Sequence, residues 1–446
     1  MAKSQKKSHS KKGDGIQRNR KAPIENFKVV LELPERLARY LRLLLQVDKM
    51  AWTLMLERLR QGTAYREWAK SKGPGKGHRR FAAPCDELKL VQQQVLYRFL
   101  EMIPIHFIRH GGVRGSSILS NAVQHVGAEA VFSIDLVNAF PSVFRSRMRA
   151  NLRVPLLRVL KHFNGQEFPE DDVAKMLEAL VDLICLHDRL PQGPPSSPRV
   201  LDIVCRKLDM DLWACLQRHS GPMDKYVLSA YADNFTVSSD DEIPEEVRTE
   251  LLDIIRDNGF IAHTRRDKTE YSSPAMGKVP VVTGLVIPPD GGITMAPRKA
   301  KQLRARIHQL LAQLAGSADE EATLESRDEL RSQLAGTLGY IRQIYPARLP
   351  SALAKPVVQA EAFMKKASIG ADAQQTAEIP KPDTPKSRKR PAVKKTKAAK
   401  AGGATPSSSS LPTPKMLPPP SPPEKRPRKS KDGGKRPLEV AVTTSA

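Results

Sequence analysis

The stretches AVFSIDLVNAF (Ala130–Phe140) and KYVLSAYADNFTVSS (Lys225–Ser239) each contain one aspartate beside an apolar run. The first is short and apolar, as a buried strand would be, and Asp135 lies within it. The second consists of two β-rich runs around a tight turn at Ala232–Asn234, which predicts a hairpin with Asp233 at its tip. A carboxylate in a buried strand is costly unless it is paired or binds a metal ion.

Each aspartate has an ordinary structural explanation when it is taken alone. Asp135 could end a strand at a turn or form a salt bridge, and Asp233 could serve only the turn. Together they favour a sheet whose adjacent strands present carboxylates at the same end. Such a pair can hold two divalent cations roughly 3.5–4 Å apart, the arrangement used in phosphoryl transfer. We therefore predict that Asp135 and Asp233 converge on two Mg²⁺ ions, with Mn²⁺ as the alternative cofactor.

The rest of the central region alternates between helices and short strands. VPVVTGLVIPPDGGITM (Val279–Met295) predicts a second hairpin that turns at Pro288–Gly292. Ser197, which precedes a proline, is typical of a helix N-cap, and Gly259 is typical of a helix C-cap. The pattern predicts the α+β fold class, with a sheet built largely of hairpins and backed by helices.

The 446-residue chain is strongly basic, with a formal net charge of +25. Such a charge attracts polyanions, although a basic protein with an unrelated core would have the same composition. The longest apolar region, Leu37–Leu59, is interrupted by charged residues, and no apolar segment follows the basic N-terminus. We therefore expect a cytoplasmic protein without a membrane partner. The four scattered cysteines predict buried thiols, with neither a zinc site nor a disulfide framework.

Composition divides the chain into a folded part and two basic tails. Residues 1–25 are rich in Lys, Ser, Gly and Arg, and residues 371–446 are rich in Pro, Lys, Ser and Ala. Both segments are predicted to be disordered, because they cannot bury enough apolar surface to offset the entropy of ordering. The C-terminal tail could contact phosphate, or it could be only a solvated tail. Residues 26–370 are predicted to fold.

Several short motifs follow one another along the folded part. FSIDLVNAFPSV resembles motif A of reverse transcriptases, LPQGPPSSP resembles motif B, and YADN resembles motif C, which usually reads YADD. GFIAHTRRDKTEY and VTGLVI resemble motifs D and E, and GHRRFAAPCDELKLVQQQVL and HGGVRGSSILSNA resemble blocks upstream of motif A. NAVQH (Asn121–His125) and VTG (Val282–Gly284) match patterns of retron reverse transcriptases. The similarity covers about residues 65–345.

The resemblance implies a right-hand polymerase with fingers, a palm that contains an antiparallel sheet, and a helical thumb. The expected regions are a helical N-terminal region with the fingers at 26–130, a palm with interleaved fingers helices at 131–290, and a thumb at 291–370. No nuclease or integrase unit is expected after the thumb.

The resemblance also implies a catalytic role for four residues. Asp135 and Asp233 would be the principal metal ligands. Asn234, which stands where the family usually has a second aspartate, would be a further ligand with less charge. Lys268 of motif D would protonate the leaving pyrophosphate as a general acid, although it could also be an ordinary solvated lysine. We expect an active enzyme with an altered preference between Mg²⁺ and Mn²⁺.

A second set of residues would contact the incoming deoxynucleoside triphosphate (dNTP). Phe140 would lie beneath its sugar and screen against a 2′-hydroxyl, and Gln192 and Gly193 of motif B would touch the nucleotide. The cations on its triphosphate would come from Arg79, Arg80 and Arg114. Without the resemblance, Phe140 could be a core residue and Pro191–Pro195 a rigid loop before a helix.

A third set would bind template RNA and the RNA–DNA duplex. A basic helical face suits the phosphates and 2′-hydroxyls of such a duplex. The residues of this face are Arg298, Lys299, Lys301, Arg304 and Arg306. Asn121 and His125 have i, i+4 spacing, which would place them on one helix face with a shared contact. The alternatives are a solvated face for the first group and a helix-capping or core polar pair for the second.

The function implied by the resemblance is the copying of a cognate structured non-coding RNA into a small branched single-stranded DNA (msDNA). An internal guanosine 2′-hydroxyl would prime synthesis, and the setting would be antiphage defence, with an effector protein encoded alongside. One alternative is another bacterial reverse transcriptase, intron-type or defence-associated, with a conventional or protein primer. The other is a catalytically silent relative that binds RNA as a scaffold, which Asn234 brings into consideration.

Overall fold

The computed structural model describes residues 24–73, 77–164, 167–221, 225–264, 268–288, 292–316 and 324–377. The chain divides into two units, Met1–Ile379 and Pro380–Ala446, and every described residue belongs to the first. The helices are α1 (Lys28–Leu31), α2 (Glu35–Leu45), α3 (Lys49–Arg60), α4 (Asp86–Arg98), α5 (Ile118–Val123), α6 (Ala139–Ser142), α7 (Arg145–Asn164), α8 (Glu170–Ile184), α9 (Ser197–Ser220), α10 (Glu245–Asp257), α11 (Pro297–Gly316), α12 (Leu324–Ile344) and α13 (Ser351–Ala377). The strands are β1 (Tyr65–Ser71), β2 (His78–Pro84), β3 (Ala130–Asp135), β4 (Tyr226–Tyr231), β5 (Asn234–Ser239), β6 (Glu270–Ser272), β7 (Val281–Val282), β8 (Leu285–Val286) and β9 (Thr294–Met295).

Helices α2 and α3 contribute to the main hydrophobic core at the N-terminal end of the described chain. Leucines at helical spacing face inward in α2, and Leu37, Leu41 and Leu45 are at most 1% exposed. The helix ends before Gln46, whose left-handed backbone (φ 53°) breaks it. Helix α3 begins after Asp48, whose carboxylate accepts a 2.8 Å hydrogen bond from a backbone amide of the first turn. The apolar region Leu37–Leu59 therefore forms two helices that pack into the core.

Strands β1 and β2 form an antiparallel hairpin that the sequence patterns did not predict. Trp68 lies opposite Phe81, and the two rings stack with their centroids 5.5 Å apart. Cross-strand aromatic pairs of this kind stabilise one register of a hairpin. The register places the exposed Arg79 and Arg80 at the start of β2.

The central antiparallel sheet contains both of the stretches that decide the fold. Its strand order among the described residues is β4–β5–β3–β6. Asp135 at the end of β3 is paired in register with Asn234 at the start of β5. Strands β4 and β5 are joined by the two-residue turn Ala232–Asp233. The predicted buried strand and the predicted hairpin are therefore confirmed, and so is the α+β class.

The helix boundaries beside this sheet differ slightly from the predicted ones. The N-cap of α9 is Ser196, so the predicted N-cap Ser197 is the first helical residue instead. The C-cap of α10 is Asn258, and the predicted C-cap Gly259 follows it with a φ of 72°. Both predictions are wrong by one residue. Proline tolerates either of the first helical positions, and a left-handed glycine commonly stands one residue beyond the cap.

Strands β7, β8 and β9 form a second, smaller antiparallel sheet. The predicted hairpin around Pro288–Gly292 corresponds to the β8–β9 pair, although residues 289–291 lie outside the described part of the chain. A tighter turn at Thr283–Gly284 joins β7 to β8 and was not predicted. Both of its residues have positive φ, 48° and 82°, which threonine rarely adopts.

Helices α11, α12 and α13 share a second hydrophobic core with the smaller sheet. Ile307, Leu334 and Val357, one from each helix, are fully buried in it. Arg342 of α12 makes two hydrogen bonds of 2.7 and 2.8 Å to Glu361 of α13, a paired geometry that aligns the two helices. This helical unit provides the surface on which the predicted duplex-binding residues stand.

Two boundaries that were predicted from composition are wrong. A 3₁₀ helix at Ile24–Phe27 begins before the predicted start of the folded part at residue 26, and it leads into the fully buried Phe27. Helix α13 continues past residue 370 to Ala377, through a run of alanines and glutamines that favour helix. The remainder of both predicted tails lies outside the described residues. The expected limits of fingers, palm and thumb stay predictions.

None of the described helices combines the length and the apolar character that crossing a bilayer needs. All four cysteines are free thiols, and Cys185, Cys205 and Cys215 are buried while Cys85 is half-buried. The thiol interpretation is therefore confirmed for three of the four and correct in part for Cys85.

Candidate active site

Asp135 and Asp233 lie side by side at one end of the central sheet. Asp135 is the last residue of β3, and Asp233 stands in the turn between β4 and β5. The backbone carbonyl of Asp233 accepts a 3.0 Å hydrogen bond from the amide of Leu136, which ties the turn to the end of β3. Both aspartates line one cavity of about 700 Å³. The fold brings the two residues together as the sequence predicts, and their role as metal ligands stays a prediction.

The carboxylate of Asp135 is close enough to Asp233 to influence the ionisation of Asp233. Burial raises the pKa of the Asp233 carboxyl, and the charge of Asp135 raises this pKa further. Arg79 and Lys268 lower it in part. Oxygen ligands of this kind are those that Mg²⁺ and Mn²⁺ prefer, and divalent cations would relieve the repulsion. The residues present therefore fit a site for hard divalent ions.

The wall of this cavity carries more basic than acidic side chains. Its basic residues are Lys70, Lys72, His78, Arg79, Arg80, His263 and Lys268. A concentration of cations beside two carboxylates suits a polyphosphate that approaches with its own counter-ions. Arg114 is exposed and is not among the described residues that line the cavity, so its position gives no support to the predicted triphosphate contact.

Phe140 lines the cavity from helix α6 and is half-buried. The helix follows Asn138, whose left-handed backbone (φ 49°) turns the chain sharply at the end of the strand. The ring of Phe140 also packs against the main core. The two interpretations of this residue are thus compatible, because the core supports a ring that faces the cavity.

The loop that precedes α9 is joined closely to the β1–β2 hairpin. The carbonyl of Gln192, which lines the cavity, accepts a 2.8 Å hydrogen bond from the amide of Ala82. Gly193 has a φ of 132°, and a Cβ atom there would lie 2.4 Å from the carbonyl oxygen of Ala82. Only glycine allows this approach. Gly193 therefore acts through its backbone position, and the contact of Gln192 and Gly193 with a nucleotide stays a prediction.

Lys268 forms a close ion pair with Asp135. The lysine side chain is 43% exposed and the aspartate side chain is 8% exposed. The pair holds a partly exposed ammonium group beside Asp135, where a proton donor to a leaving group would be required. The alternative of a lysine that contacts only solvent is wrong, while the acid role stays a prediction.

Asn234 occupies a different position from the two aspartates. Its side-chain amide donates a 3.3 Å hydrogen bond to Asp233 Oδ1. It lines a neighbouring cavity of about 370 Å³, which Asp135 and Lys268 also line. The amide nitrogen, not the oxygen, thus faces Asp233. Its predicted role as a metal ligand would require the amide to turn over.

A buried charge network, which the sequence patterns did not reveal, supports the turn that carries Asp233. Arg109 donates to both carboxylate oxygens of Asp209, at 2.5 and 2.8 Å, and to Asp202 at 3.4 Å. It also donates a 2.7 Å hydrogen bond to the carbonyl of Ala232. Ala232 has the left-handed backbone (φ 55°) that non-glycine residues rarely adopt. The arginine therefore stabilises the conformation next to Asp233.

The ionisation of this network reflects its burial. Burial lowers the pKa of Arg109, but the charge of Asp209, its hydrogen bond and the charges of the other nearby acidic groups together raise the pKa above its ordinary value. Burial raises the pKa of the Asp202 carboxyl to about 7. Asp202 and Asp209 are fully buried and lie seven residues apart on α9. Two acidic residues on the apolar face of a helix were the sequence pattern that could have indicated this network.

Asn121 and His125 do not form the RNA-binding pair that was predicted. Helix α5 ends at Val123, so His125 lies beyond it, and both predicted residues are only 1% exposed. The imidazole of His125 makes hydrogen bonds of 2.6 Å to Ser229 and 2.7 Å to Ser238, on neighbouring strands. Burial lowers the pKa of His125 to about 3, so the ring is neutral. The alternative interpretation, a core polar pair, is the correct one in this structure.

The five predicted duplex-binding residues all stand exposed on α11. They are Arg298, Lys299, Lys301, Arg304 and Arg306. Arg306 is held by Gln333 of α12, and the ammonium of Lys299 lies 5.9 Å from the centre of the Tyr340 ring. The face is thus available to a polyanion, and its binding to a duplex stays a prediction.

Comparison with known proteins identifies several relatives, although no family model matches the chain. The chain is 32% identical over 337 residues to retron Mx162 reverse transcriptase of Myxococcus xanthus, covering 71% of this chain and 65% of that protein. It is 31% identical over 242 residues to retron Ec86 reverse transcriptase of Escherichia coli, covering 54% of this chain and 68% of that protein. For retron Mx65 reverse transcriptase of M. xanthus the identity is 30% over 286 residues, covering 60% and 59%. The chain thus spans roughly two thirds of these relatives or less.

Solved structures give weaker similarities. A telomerase from Candida albicans, in complex with a fragment of telomeric RNA, matches with a TM-score of 0.36 and 14% identity over 62% of this chain and 54% of that one. A telomerase from Candida tropicalis matches with a TM-score of 0.35 and 11% identity over 50% and 53%. The sequence relatives are the decisive finding, since one of them is 31% identical over 68% of its length. The chain belongs to the retron reverse transcriptases.

Proposed function

We propose that this chain is an RNA-directed DNA polymerase that copies a cognate structured non-coding RNA into msDNA. The observation that carries the proposal is the shared cavity of Asp135 and Asp233 with its basic wall. The retron reverse transcriptases to which the chain is similar support the same activity. Because the chain spans only part of these relatives, the residues of the site are the main support for the proposed activity.

The residues around the cavity have distinct tasks in the proposed reaction. Asp135 and Asp233 would hold two Mg²⁺ ions, which when bound supply charge neutralisation and activation of the primer hydroxyl. Arg79 and Arg80 bind the triphosphate oxygens of a dNTP through charge-assisted hydrogen bonds. Lys268 supplies a proton to the leaving pyrophosphate. In this proposal the two carboxylates hold the metal ions that take part in the reaction, and the arginines of β2 bind the negatively charged triphosphate.

Two further residues select and orient the nucleotide. Phe140 is supported by the core, so its ring forms a rigid wall that a ribose 2′-hydroxyl would meet. The side chain of Gln192 faces the same cavity and orients the nucleotide. The exposed basic face of α11 contacts the phosphates of the RNA–DNA duplex.

The primer in this proposal is an internal guanosine 2′-hydroxyl of the template RNA. The product is therefore a DNA joined to RNA by a 2′–5′ bond, made in the cytoplasm as part of antiphage defence with a separately encoded effector protein. The motifs NAVQH and VTG, together with the retron relatives, support this form of priming.

Nucleic acid that co-purifies with the chain tests this proposal directly. We expect a short DNA that keeps an RNA nucleotide after ribonuclease treatment and loses it after treatment with a debranching enzyme. Asp135→Ala should yield the RNA without the DNA. A DNA with no branch would support another bacterial reverse transcriptase with a conventional or protein primer, and the absence of any DNA from wild type would contradict the polymerase proposal.

Asn234 favours a second candidate function, that of a silent relative which binds RNA as a scaffold. The amide carries no charge, and its nitrogen faces Asp233 in this structure. RNA binding that survives Asp135→Ala, together with no DNA synthesis by wild type, would support this candidate.

Asn234→Asp separates the two candidates. If the site is catalytic, wild type extends a primer and the added carboxylate changes the ratio of the Mg²⁺ and Mn²⁺ rates, because it adds a negative charge beside the metal ligands. Primer extension in each metal would measure this ratio, with Asp233→Ala as the inactive control. If wild type extends a primer no better than Asp233→Ala in both metals, polymerase activity is excluded.

A further inference from the structure

A cysteine, a histidine and a glutamate meet where α9 packs against α10. One ligand atom from each of Cys215, His219 and Glu250 lies within 4.8 Å of the other two. Cys215 and His219 are separated by one turn near the C-terminal end of α9, so they face the same side. Glu250 comes from α10, and none of the three lines the cavity of Asp135 and Asp233.

The three donor atoms are a sulfur, a nitrogen and an oxygen, which is a borderline-soft set. Zn²⁺ binds such ligands at about 2.0–2.3 Å in tetrahedral geometry, which places the donors roughly 3.3–3.8 Å from each other. The observed spacing needs only small side-chain movements to reach these values. Mg²⁺ prefers oxygen ligands alone, so the ion of this cluster would differ in class from those at the polymerase site.

The surroundings of the cluster already orient the glutamate. Arg218 donates a 2.5 Å hydrogen bond to Glu250 Oε1, while Oε2 is 2.7 Å from His219 Nε2. An outer partner of this kind holds a carboxylate ligand in place. The side chains of His219 and Glu250 are 36% and 37% exposed, whereas Cys215 is buried. An ion can therefore enter from solvent and keep a water molecule as its fourth ligand.

We propose that Cys215, His219 and Glu250 bind one Zn²⁺ ion, with water in the fourth position, and that this ion clasps α9 to α10. The thiol proton passes to solvent as the sulfur–zinc bond forms, and no oxidation or reduction is involved. The sequence patterns predicted no zinc site, because the ligands are divided between two helices and contain no paired-cysteine motif. The site requires neither RNA nor dNTP.

Metal loading of the full chain tests the zinc site. After treatment with a chelator and reloading with Zn²⁺, the chain should retain about one ion and gain thermal stability. Co²⁺ in place of Zn²⁺ should produce a near-ultraviolet thiolate charge-transfer band. His219→Ala and Glu250→Gln should weaken binding more than about 100-fold, since even outer partners of metal ligands contribute 10–100-fold. Glu250→Gln is a conservative change at a partly exposed residue, so it keeps the fold.

Two controls make the result specific to this cluster. Cys85→Ser removes the half-buried thiol of another region and should bind Zn²⁺ like wild type. The second control is the Asp135→Ala, Asp233→Ala double variant, which lacks the carboxylates of the polymerase site. Its thiolate band should be the same as that of wild type, even if the polymerase proposal fails. A wild type without the band, or a band that persists in Cys215→Ala, would overturn the proposal and leave only a hydrogen-bonded trio.

Discussion

Asp233→Asn is expected to reduce DNA synthesis by about 10³-fold or more and, at the same time, to stabilise the metal-free chain. The loss arises because divalent ions contribute several kcal/mol to phosphoryl transfer, and a neutral amide replaces one of their two carboxylate ligands. The gain arises because the folded-state pKa of Asp233 is raised, so its ionised form is disfavoured by folding. In wild type the destabilisation by ionised Asp233 begins as the pH rises above the unfolded-state pKa of about 3.9, and it is complete above the folded-state pKa.

Primer extension and thermal melting in the presence of a chelator measure the two effects separately. Asp135→Asn is the matched control, because it should lose activity as well but also loses the ion pair with Lys268. It should therefore gain less stability than Asp233→Asn does. Mg²⁺ should raise the melting temperature of wild type more than that of either variant. If Asp233→Asn kept a rate of DNA synthesis within about tenfold of wild type, Asp233 would not be a metal ligand.

Arg109→Met is expected to destabilise the chain by about 3–5 kcal/mol near neutral pH, a large part of the stability of an ordinary domain. The substitution leaves Asp202 and Asp209 buried without their counter-ion, although methionine fills a similar volume. It also removes the hydrogen bond to the Ala232 carbonyl. Chemical denaturation of wild type and variant would give the difference in the free energy of unfolding.

The pH dependence of this loss distinguishes an unpaired charge from poor packing. Without Arg109 the pKa values of both buried carboxyls rise, so the folded state of the variant takes up protons that the unfolded state does not. The stability contributed by these carboxyls should therefore fall as the pH rises, and because the pKa of Asp202 in wild type is already about 7, the gap to wild type should widen most as the pH rises above neutral. Arg109→Met combined with Asp202→Asn and Asp209→Asn should recover much of the loss. A gap that is independent of pH would mean that packing, not charge, is responsible.

The parts of the site that the sequence predicted depend on local signals. Asp135 follows an apolar strand and Asp233 stands in a tight turn, so each position could be inferred from a few neighbours. Their meeting, by contrast, depends on the pairing of β3 with β5, two strands that lie far apart in the chain. Gln192 was predicted only from the resemblance of LPQGPPSSP to motif B.

The parts that the sequence did not reveal depend on contacts between distant segments. Arg109 meets Asp209 across 100 residues of chain, and no local pattern relates them. His125 has the spacing of a helix-face pair with Asn121, but the helix ends first and the imidazole turns inward to two serines. A polar residue on a short helix can serve solvent or the core, and only tertiary packing decides between them.

The contact between Gly193 and Ala82 means that two segments beside the cavity of Asp135 and Asp233 cannot move independently. The hydrogen bond between Ala82 and Gln192, and the lack of room for even one methyl group at Gly193, couple β2 mechanically to the loop before α9. A displacement of the hairpin that carries Arg79 and Arg80 must pull Gln192 with it. A ligand that displaced β2 would therefore displace the loop before α9 by the same amount, so the two segments would respond to it as one rigid unit.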